Sequence, residues 1–465
     1  MKLQATLRRV LGLASFGMLP ALLVLCLIFS ALTYEKQNLE GLDAARSLAA
    51  EIKRLAPANQ RVVIIADGST QGAEMVAALT MSIEAAGGKV ASASQGKPDE
   101  AFAALDAAAQ AGQVDVIACS LASSRWPVFK VIDQRWPALG NPAVIAPPTY
   151  YWPTFLMPSN VRGIANRVSV TAILAIGMTL VIITGGIDLS VGSLIALAAV
   201  ISTLLIRNGL SLGIGSFRLH LLGGGLDAGS GVLIVSALAA IIICGLAGLF
   251  SGALVTSFRI PAFIVTLSMM LIARGLAKYL TKSESVDQIP QAFTWLGGQA
   301  SLWGIPNEVM LMLLLYALAY VLMHHTVLGR YLYAVGGNME AARLSGVPVF
   351  AVLLFAYAMC GLLAGLGGVV TASRHNSGSA VYGNMEELYV IAAVVVGGTS
   401  ISGGEGKILG TLIGAFLIAV IENGMNLQKV PSEVQWIVLG LVILLAVLLD
   451  KLKQRLMRRR TAPAD

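Results

Sequence analysis

Apolar residues run along this chain in long blocks, separated by short segments rich in glycine and charge. A helix needs about 20 apolar residues to cross a bilayer. Blocks of that kind cover 11–33, 165–184, 187–206, 232–257, 260–280, 308–323, 350–372, 387–396, 407–422 and 434–449. The pattern predicts about ten membrane helices, of which the 387–396 segment is short and limited by glycine. An even number of crossings puts both termini on one side. Lys2, Arg8 and Arg9 lie before the first block, and Lys451, Lys453, Arg455, Arg458, Arg459 and Arg460 follow the last. Basic flanks mark the cytoplasmic side, and the tail cluster also suits anionic lipid. By this topology Arg259, Arg330 and Arg343 are inside, and 208–231, 281–307 and 373–386 are outside. Gly248 with Gly252, Gly361 with Gly365 and Gly410 with Gly414 have the spacing that lets helices approach closely.

Residues 34–163 follow a different rhythm. A helical period over 38–55 is followed by RVVIIADG from Arg61, a buried strand ending in turn residues. A helix over 71–86, a strand over 89–92, a helix over 99–111 and a strand over 114–118 complete the alternation. Strands alternating with helices predict a parallel sheet flanked by helices. The expected organisation is a cytoplasmic start and first span (1–33), a periplasmic α/β insert (34–163), an α-helical polytopic membrane domain (164–450) and a basic cytoplasmic tail (451–465). The first block is longer than a typical signal-peptide core, so it reads as a retained span. Asp67 and Ser69 fall at the carboxyl edge of the first strand, where open α/β sheets bind ligands. The insert is then either a small docking or ligand-sensing domain, or a structural insertion in which Asp67 caps the next helix. The string G-x-G-x-x-G is absent, so a dinucleotide site is unsupported. Trp126, Trp136, Tyr150, Tyr151 and Trp152 crowd the end of the insert, and APPTYYWPTF is expected to meet the outer leaflet.

Composition agrees with the blocks. The chain has 465 residues, 56% hydrophobic and 12% charged, with a mean hydropathy of +0.78. Soluble domains carry roughly 25% charged residues, so this is a polytopic membrane protein. The net charge of +7 is concentrated in the tail and does not point to nucleic acid. Cys26, Cys119, Cys244 and Cys360, like His220, His324, His325 and His375, show no disulfide or metal spacing. No metal or cofactor is expected. The nearest approach to a phosphate loop, GGEGKIL from Gly403, lacks the earlier glycine and the Ser or Thr after Lys407, so no ATP hydrolysis is expected of this chain.

The stretch from Gly177 to Ser193 reads GMTLVIITGGIDLSVGS. It places one carboxylate, Asp188, between two apolar runs, where a charge needs an explanation. Gly185 and Gly186 allow a sharp break. Asp188 either caps a helix starting at Leu189 or, with Gly185, Gly186 and Ser190, lines a path through the membrane. A short echo, VGGTSISGGEG, contains Gly397, Gly398 and Thr399 and lies between two later blocks, on the same side by this topology. Glu387, Glu405 and Glu422 lie near span ends, where capping or snorkelling is the default. On the inside, Gly329 to Val349 reads GRYLYAVGGNMEAARLSGVPV. Gly336 and Gly337 break the chain. Asn338 can cap a short helix by accepting from Ala341, and Glu340 and Arg343 share one face of it. Ala342, Leu344 and Ser345 complete the helix, Gly346 ends it and Pro348 prevents its continuation. Such a helix can seat in a groove of a partner, or it can be an ordinary loop with a surface ion pair.

From about Phe155 to Asp450 the chain resembles the permease subunits of the ribose, xylose and arabinose type of ABC monosaccharide importers. The strings TGGIDLSVGS, YAVGGNMEAARLSGV and IAAVVVGGTS carry the resemblance. It implies a transmembrane subunit in the inner membrane that moves a pentose or hexose. The implied partners are a separate cytoplasmic ATPase, a periplasmic substrate-binding protein and a second permease copy or homologue. It also implies that the cytoplasmic loop at 329–349 contacts the ATPase, with 336–346 as its coupling residues. The chain departs from the family at Met385-Glu386, where glycine and an aromatic are usual, and at Tyr389, which replaces a usual acid. A stand-alone secondary transporter or facilitator is the competing reading, since broken helices and an intramembrane carboxylate suit it too.

Overall fold

The computed structural model describes residues 18–55, 60–214, 217–298 and 301–461. Lys2, Arg8, Arg9 and the start of the first block lie outside the described residues, as do the side chains of His220 and of the basic tail. The remainder of the first block forms helix α1 (Leu19–Leu32), which belongs with Phe155–Asp465 to one helical unit. Thr33–Thr154 forms a separate α/β unit.

The α/β unit opens with strand β1 (Tyr34–Asn38) and helix α2 (Gly41–Leu55). Strand β2 (Arg61–Asp67), helix α3 (Thr70–Ala85), strand β3 (Lys89–Gly96), helix α4 (Pro98–Ala111) and strand β4 (Val116–Cys119) follow. Strands β5 (Ala143–Ile145) and β6 (Thr149–Pro153) close it. The sheet runs β3-β2-β4-β5 with every pair parallel. The apolar run in β2 serves both faces, as it must in a parallel sheet covered on both sides. Val62, Ile64 and Ala66 pack with Leu48, Ile52 and Leu79, whereas Val63 and Ile65 pack with Leu105 and Leu139. The alternation was legible in the sequence, but three details differ from expectation. Trp136 is a core residue, 4% exposed, with its indole N–H on Asp106 at 2.6 Å, because a buried indole needs an acceptor. Tyr150, Tyr151 and Trp152 stay exposed, as a surface role requires, but lie in a strand paired antiparallel with β1 that the sequence pattern does not predict. The unit closes at Thr154, whose N–H bonds Thr33 O at 2.9 Å, short of the expected boundary at 163.

The helical unit continues with α5 (Pro158–Ile183), α6 (Val191–Asn208), α7 (Ser230–Phe258), α8 (Ala262–Thr281) and α9 (Asn307–His325). Two short helices, α10 (Val327–Gly337) and α11 (Met339–Leu344), precede α12 (Val349–His375). Helices α13 (Glu386–Val396), α14 (Ile408–Leu427) and α15 (Ser432–Thr461) complete it. Each of the ten predicted blocks contains a helix within its described part, although residues 187–190 of the third block precede the start of α6. Among the described residues, seven helices are long and apolar enough to cross a membrane. Helix α13, with 11 residues, is a half-span.

Helices α5 and α6 form the centre: Ala172 through Ile183 and Val191 through Val200 are all buried. A helix apolar on every side belongs in an interior. Helix α7 instead exposes Ile234, Leu238, Ile242, Leu246 and Phe250 at four-residue spacing, a stripe suited to lipid. The small-residue pairs are real contacts. Gly248 and Gly361 meet across α7 and α12, and a Cβ on Gly361 would collide with Cys244 O. Gly410 and Gly414 lie against Gly397 and Ala393. Two expected loops differ. Residues 329–337 are helical rather than looped, so Gly336 and Gly337 do not break the chain but form the last turn of α10, which ends at Asn338. Residues 376–385, expected outside, fold back against the first turn of α6, where Gly383 touches Gly192. The Arg274 guanidinium makes this possible by donating to the carbonyls of Ala380 and Tyr382 at 2.7 Å each, satisfying backbone that has left its helix.

Gly361→Ala is expected to destabilise the helical unit by about 1–3 kcal/mol, because α7 has no room to yield. Gly275→Ala, at a site in α8 with open space around it, should be neutral or slightly stabilising. Thermal unfolding in detergent distinguishes them, and equal midpoints for the two variants would contradict the packing described.

Candidate functional site

The first break begins where α5 ends. Gly185 takes φ +86°, a conformation that suits glycine, and the chain is irregular to Ser190 before α6 starts at Val191. Helix α6 thus begins two residues later than Leu189, and Ser190, at its N-cap, makes no side-chain cap bond. Asp188 is not the cap. It is fully buried, and its Oδ1 accepts from the Ser190 N–H at 2.9 Å and the Ser190 hydroxyl at 2.6 Å. Its Oδ2 accepts no hydrogen bond. The adjacent Ile187 carbonyl accepts from Thr266 Oγ1 of α8 at 3.2 Å. Asp188 therefore holds the turn that lets α6 start.

The second break follows α13. Gly397 and Gly398 turn the chain, with Gly398 at φ +92°, and Ser400 N–H bonds Glu405 O at 2.9 Å to close a small loop before α14. Thr399 is buried and its hydroxyl has no partner. The two breaks join directly, the Gly404 N–H donating to Ile183 O at 2.8 Å. Gly336 of α10 sits on the same spot, where a Cβ would collide with Ile183 O, and Gly404 abuts Gly337. Three pairs of glycines, Gly185-Gly186, Gly336-Gly337 and Gly403-Gly404, thereby converge. The Tyr333 hydroxyl adds a bond to Gly406 O at 2.8 Å.

Beyond Gly337 the cap forms as the sequence suggests. Asn338 Oδ1 accepts from Ala341 N–H at 2.9 Å, Glu340 and Arg343 pair at 3.3 Å, and Gly346 leaves α11 at φ +82°. Met339 and Leu344 are exposed, Leu344 to 89%, whereas Ala342 is buried. A short capped helix presenting an apolar tip thus follows directly on the Gly336-Gly337 end of α10, which touches both breaks.

A polar cavity of about 240 Å³ lies among α5, α6, α12, α13 and α14. Arg167, Thr171, Arg374, Glu386, Tyr389 and Glu422 supply its polar wall. Arg167 pairs with Glu422 at 2.6 Å and Thr171 donates to Glu386 at 2.5 Å. Arg374 pairs at 2.6 Å with Glu308, which is wholly buried, and also donates to Asn166 O. Glu422 is therefore an ion-pair partner rather than a cap. Asp188 and the glycine breaks do not line this cavity. The sequence reading missed Arg167, Arg374 and Glu386 as wall residues. The available signal was a charge inside or at the end of an apolar helix, which marks a pathway by default.

Asp188→Asn keeps the Oδ1 acceptor and should retain near wild-type expression. Asp188→Leu leaves two buried donors unpaired, a loss of about 1–3 kcal/mol each, and should express poorly. Detergent-extracted yield and unfolding temperature measure the difference. A Leu variant as stable as wild type would remove the turn-holding role.

With this geometry established, similarities to known proteins become specific. A family profile described as "Branched-chain amino acid transport system / permease component" matches residues 160–447. The ribose import permease protein of Escherichia coli (strain K12) is 41% identical over 306 residues, covering 65% of this chain and 88% of the relative. The L-arabinose ABC transporter permease protein of Azospirillum brasilense is 34% identical over 302 residues, covering 65% of this chain and 83% of its own length. The xylose transport system permease protein of Escherichia coli (strain K12) is 32% identical over 378 residues, covering 67% and 91%. No solved structure matches the chain. Helices broken at paired glycines, a capped helix on their junction and this extent of identity lead to one conclusion: the chain belongs to this family of transport-system permease components.

Proposed function

We propose that this protein is the membrane-spanning subunit of an ABC importer for a monosaccharide of the pentose or hexose class, and that α11 couples it to a separate cytoplasmic ATPase. The observation that carries the reading is the position of that helix: capped by Asn338, apolar at Leu344, and joined through Gly336 to both breaks. In this reading a push on α11 passes through Gly336 and Gly337 to Ile183, Gly185 and Gly404 by backbone contact, and Gly185, Gly186, Asp188, Ser190, Gly397, Gly398 and Thr399 are the break residues that respond. The polar cavity supplies hydrogen-bonding walls of the kind a hydroxylated solute needs.

In this reading the subunit sits in the inner membrane with both termini cytoplasmic. It works with a second permease copy or homologue and receives solute from a periplasmic binding protein. Hydrolysis belongs to the ATPase, and this chain supplies the path and the transmission.

Glu340→Arg and Arg343→Glu invert the charges beside the apolar tip without touching the Asn338 cap. Each should reduce co-purification of the ATPase by about tenfold or more, with membrane insertion unchanged. Unaltered association and uptake in both variants would eliminate the coupling role and favour a stand-alone facilitator.

The orientation has its own test. Asp99 is exposed in the first turn of α4. Asp99→Cys should react with a membrane-impermeant maleimide in cells whose outer membrane alone is permeabilised. Labelling only after the inner membrane is lysed would invert the topology and place α11 on the wrong side for an ATPase.

A further inference from the structure

The α/β unit holds a second cavity, of about 300 Å³, that transport through the helical unit does not use. The family match begins only at residue 160, after this unit ends. In the order β3-β2-β4-β5, the chain leaves β2 toward one side and returns to the other, so the sheet reverses between β2 and β4. At such a switch point an open α/β sheet leaves a crevice outside its carboxyl ends. The cavity lies there. Asp67 ends β2, Ser120 follows β4, and both line it together with Asn38, Gln71 and Arg125.

The wall is pre-organised. The Ser120 hydroxyl donates to Asp67 Oδ2 at 2.8 Å and Ser69 N–H donates to Oδ1 at 3.1 Å. Ser120 is itself held 3.0 Å from the buried Ser123 hydroxyl, which donates to Ile65 O at 2.8 Å. The sequence offers Asp67 as a possible cap of α3. Ser69 takes that place, its hydroxyl accepting from Gly72 N–H at 3.0 Å. Asp67 is thus left free of the helix. Burial pushes its carboxyl upward, but the bonds from Ser69 and Ser120 outweigh this and hold it below the ordinary range. It is ionised at neutral pH, and a carboxylate with one bond on each oxygen retains capacity to accept more.

The chemistry around it is mixed: two carboxylates, a guanidinium, two carboxamides and the apolar surfaces of Leu39, Met75 and Leu121. Asp67 and Glu40 oppose a free anion, and Arg125 opposes a free cation. Adjacent hydroxyls on a neutral ring satisfy carboxylate and guanidinium together, and the ring's C–H face matches the apolar wall. We propose that this cavity binds a neutral polyhydroxylated molecule of the monosaccharide class, with Asp67 and Arg125 engaging its hydroxyls. The choice of a sugar over other neutral polyols rests on the transport reading above.

The test uses the full chain in lipid nanodiscs, titrated calorimetrically with D-ribose, D-xylose, L-arabinose and D-galactose, with L-leucine as a zwitterionic probe and inorganic phosphate as an anionic one. At least one sugar should bind saturably. Its affinity should fall at least tenfold in Asp67→Ala and in Ala122→Trp, which fills the cavity without touching the Asp67 bonds, while Glu340→Arg leaves it unchanged. Absence of sugar binding, preference for leucine or phosphate, or binding unaffected by Ala122→Trp in a protein that keeps its unfolding temperature would overturn the proposal. Sugar binding that disappears in Glu422→Gln instead would assign it to the membrane cavity and overturn it equally. Failure of ATPase-driven uptake with Asp67-dependent sugar binding intact would count against the transport reading alone.

Discussion

A chain that interrupts its helices inside an apolar body frees N–H and C=O groups that neither lipid nor water can satisfy there. The helical unit meets this constraint by setting one break against the other, through the 2.8 Å bond from the Gly404 N–H to Ile183 O. That bond requires bare backbone on every side, which explains Gly336 and Gly404 at the contact. The consequence is mechanical. Helix α10, the two breaks and the Asn338-capped α11 share a single junction, so displacement of one is felt by the others. Packed interfaces of this kind switch between discrete arrangements rather than deforming gradually.

Charges within the same body follow a parallel logic. An isolated ion in a low-dielectric interior is costly, and removing one partner of a buried pair is severely destabilising. Glu308 with Arg374, and Arg167 with Glu422, are accordingly paired, and Arg274 spends its donors on backbone carbonyls of the re-entrant 376–385 segment. These pairs, together with Glu386 bonded to the Thr171 hydroxyl, give the cavity a wall of hydrogen-bonding groups. Tyr389 adds an aromatic hydroxyl to that wall.

The α/β unit is built on the opposite solvent logic. Its apolar strands are covered on both faces by helices, and its polar chemistry is gathered where the sheet runs out. The Ser123–Ser120–Asp67 chain of hydrogen bonds costs little in such a place, since each member is satisfied by its neighbour.

The sequence by itself determined the helical blocks, the β–α alternation of the insert, the Asn338 cap and the Glu340–Arg343 pair. All of these depend on local periodicity or on spacings of three to four residues, which a chain expresses without knowing its fold. The glycine pairs were visible as pairs, but nothing in the string said that Gly248 would face Gly361 or that Gly336 would rest on Ile183. Asp188 could be found but not assigned, because its role depends on where α6 starts, and that start is set by packing against neighbouring helices. Arg374 looked like part of an outer loop until the fold set Glu308, 66 residues away in sequence, against its guanidinium. The cavity walls, the re-entrant segment and the switch-point crevice belong wholly to the tertiary structure, since each joins residues whose proximity is created only when distant helices or strands pack together.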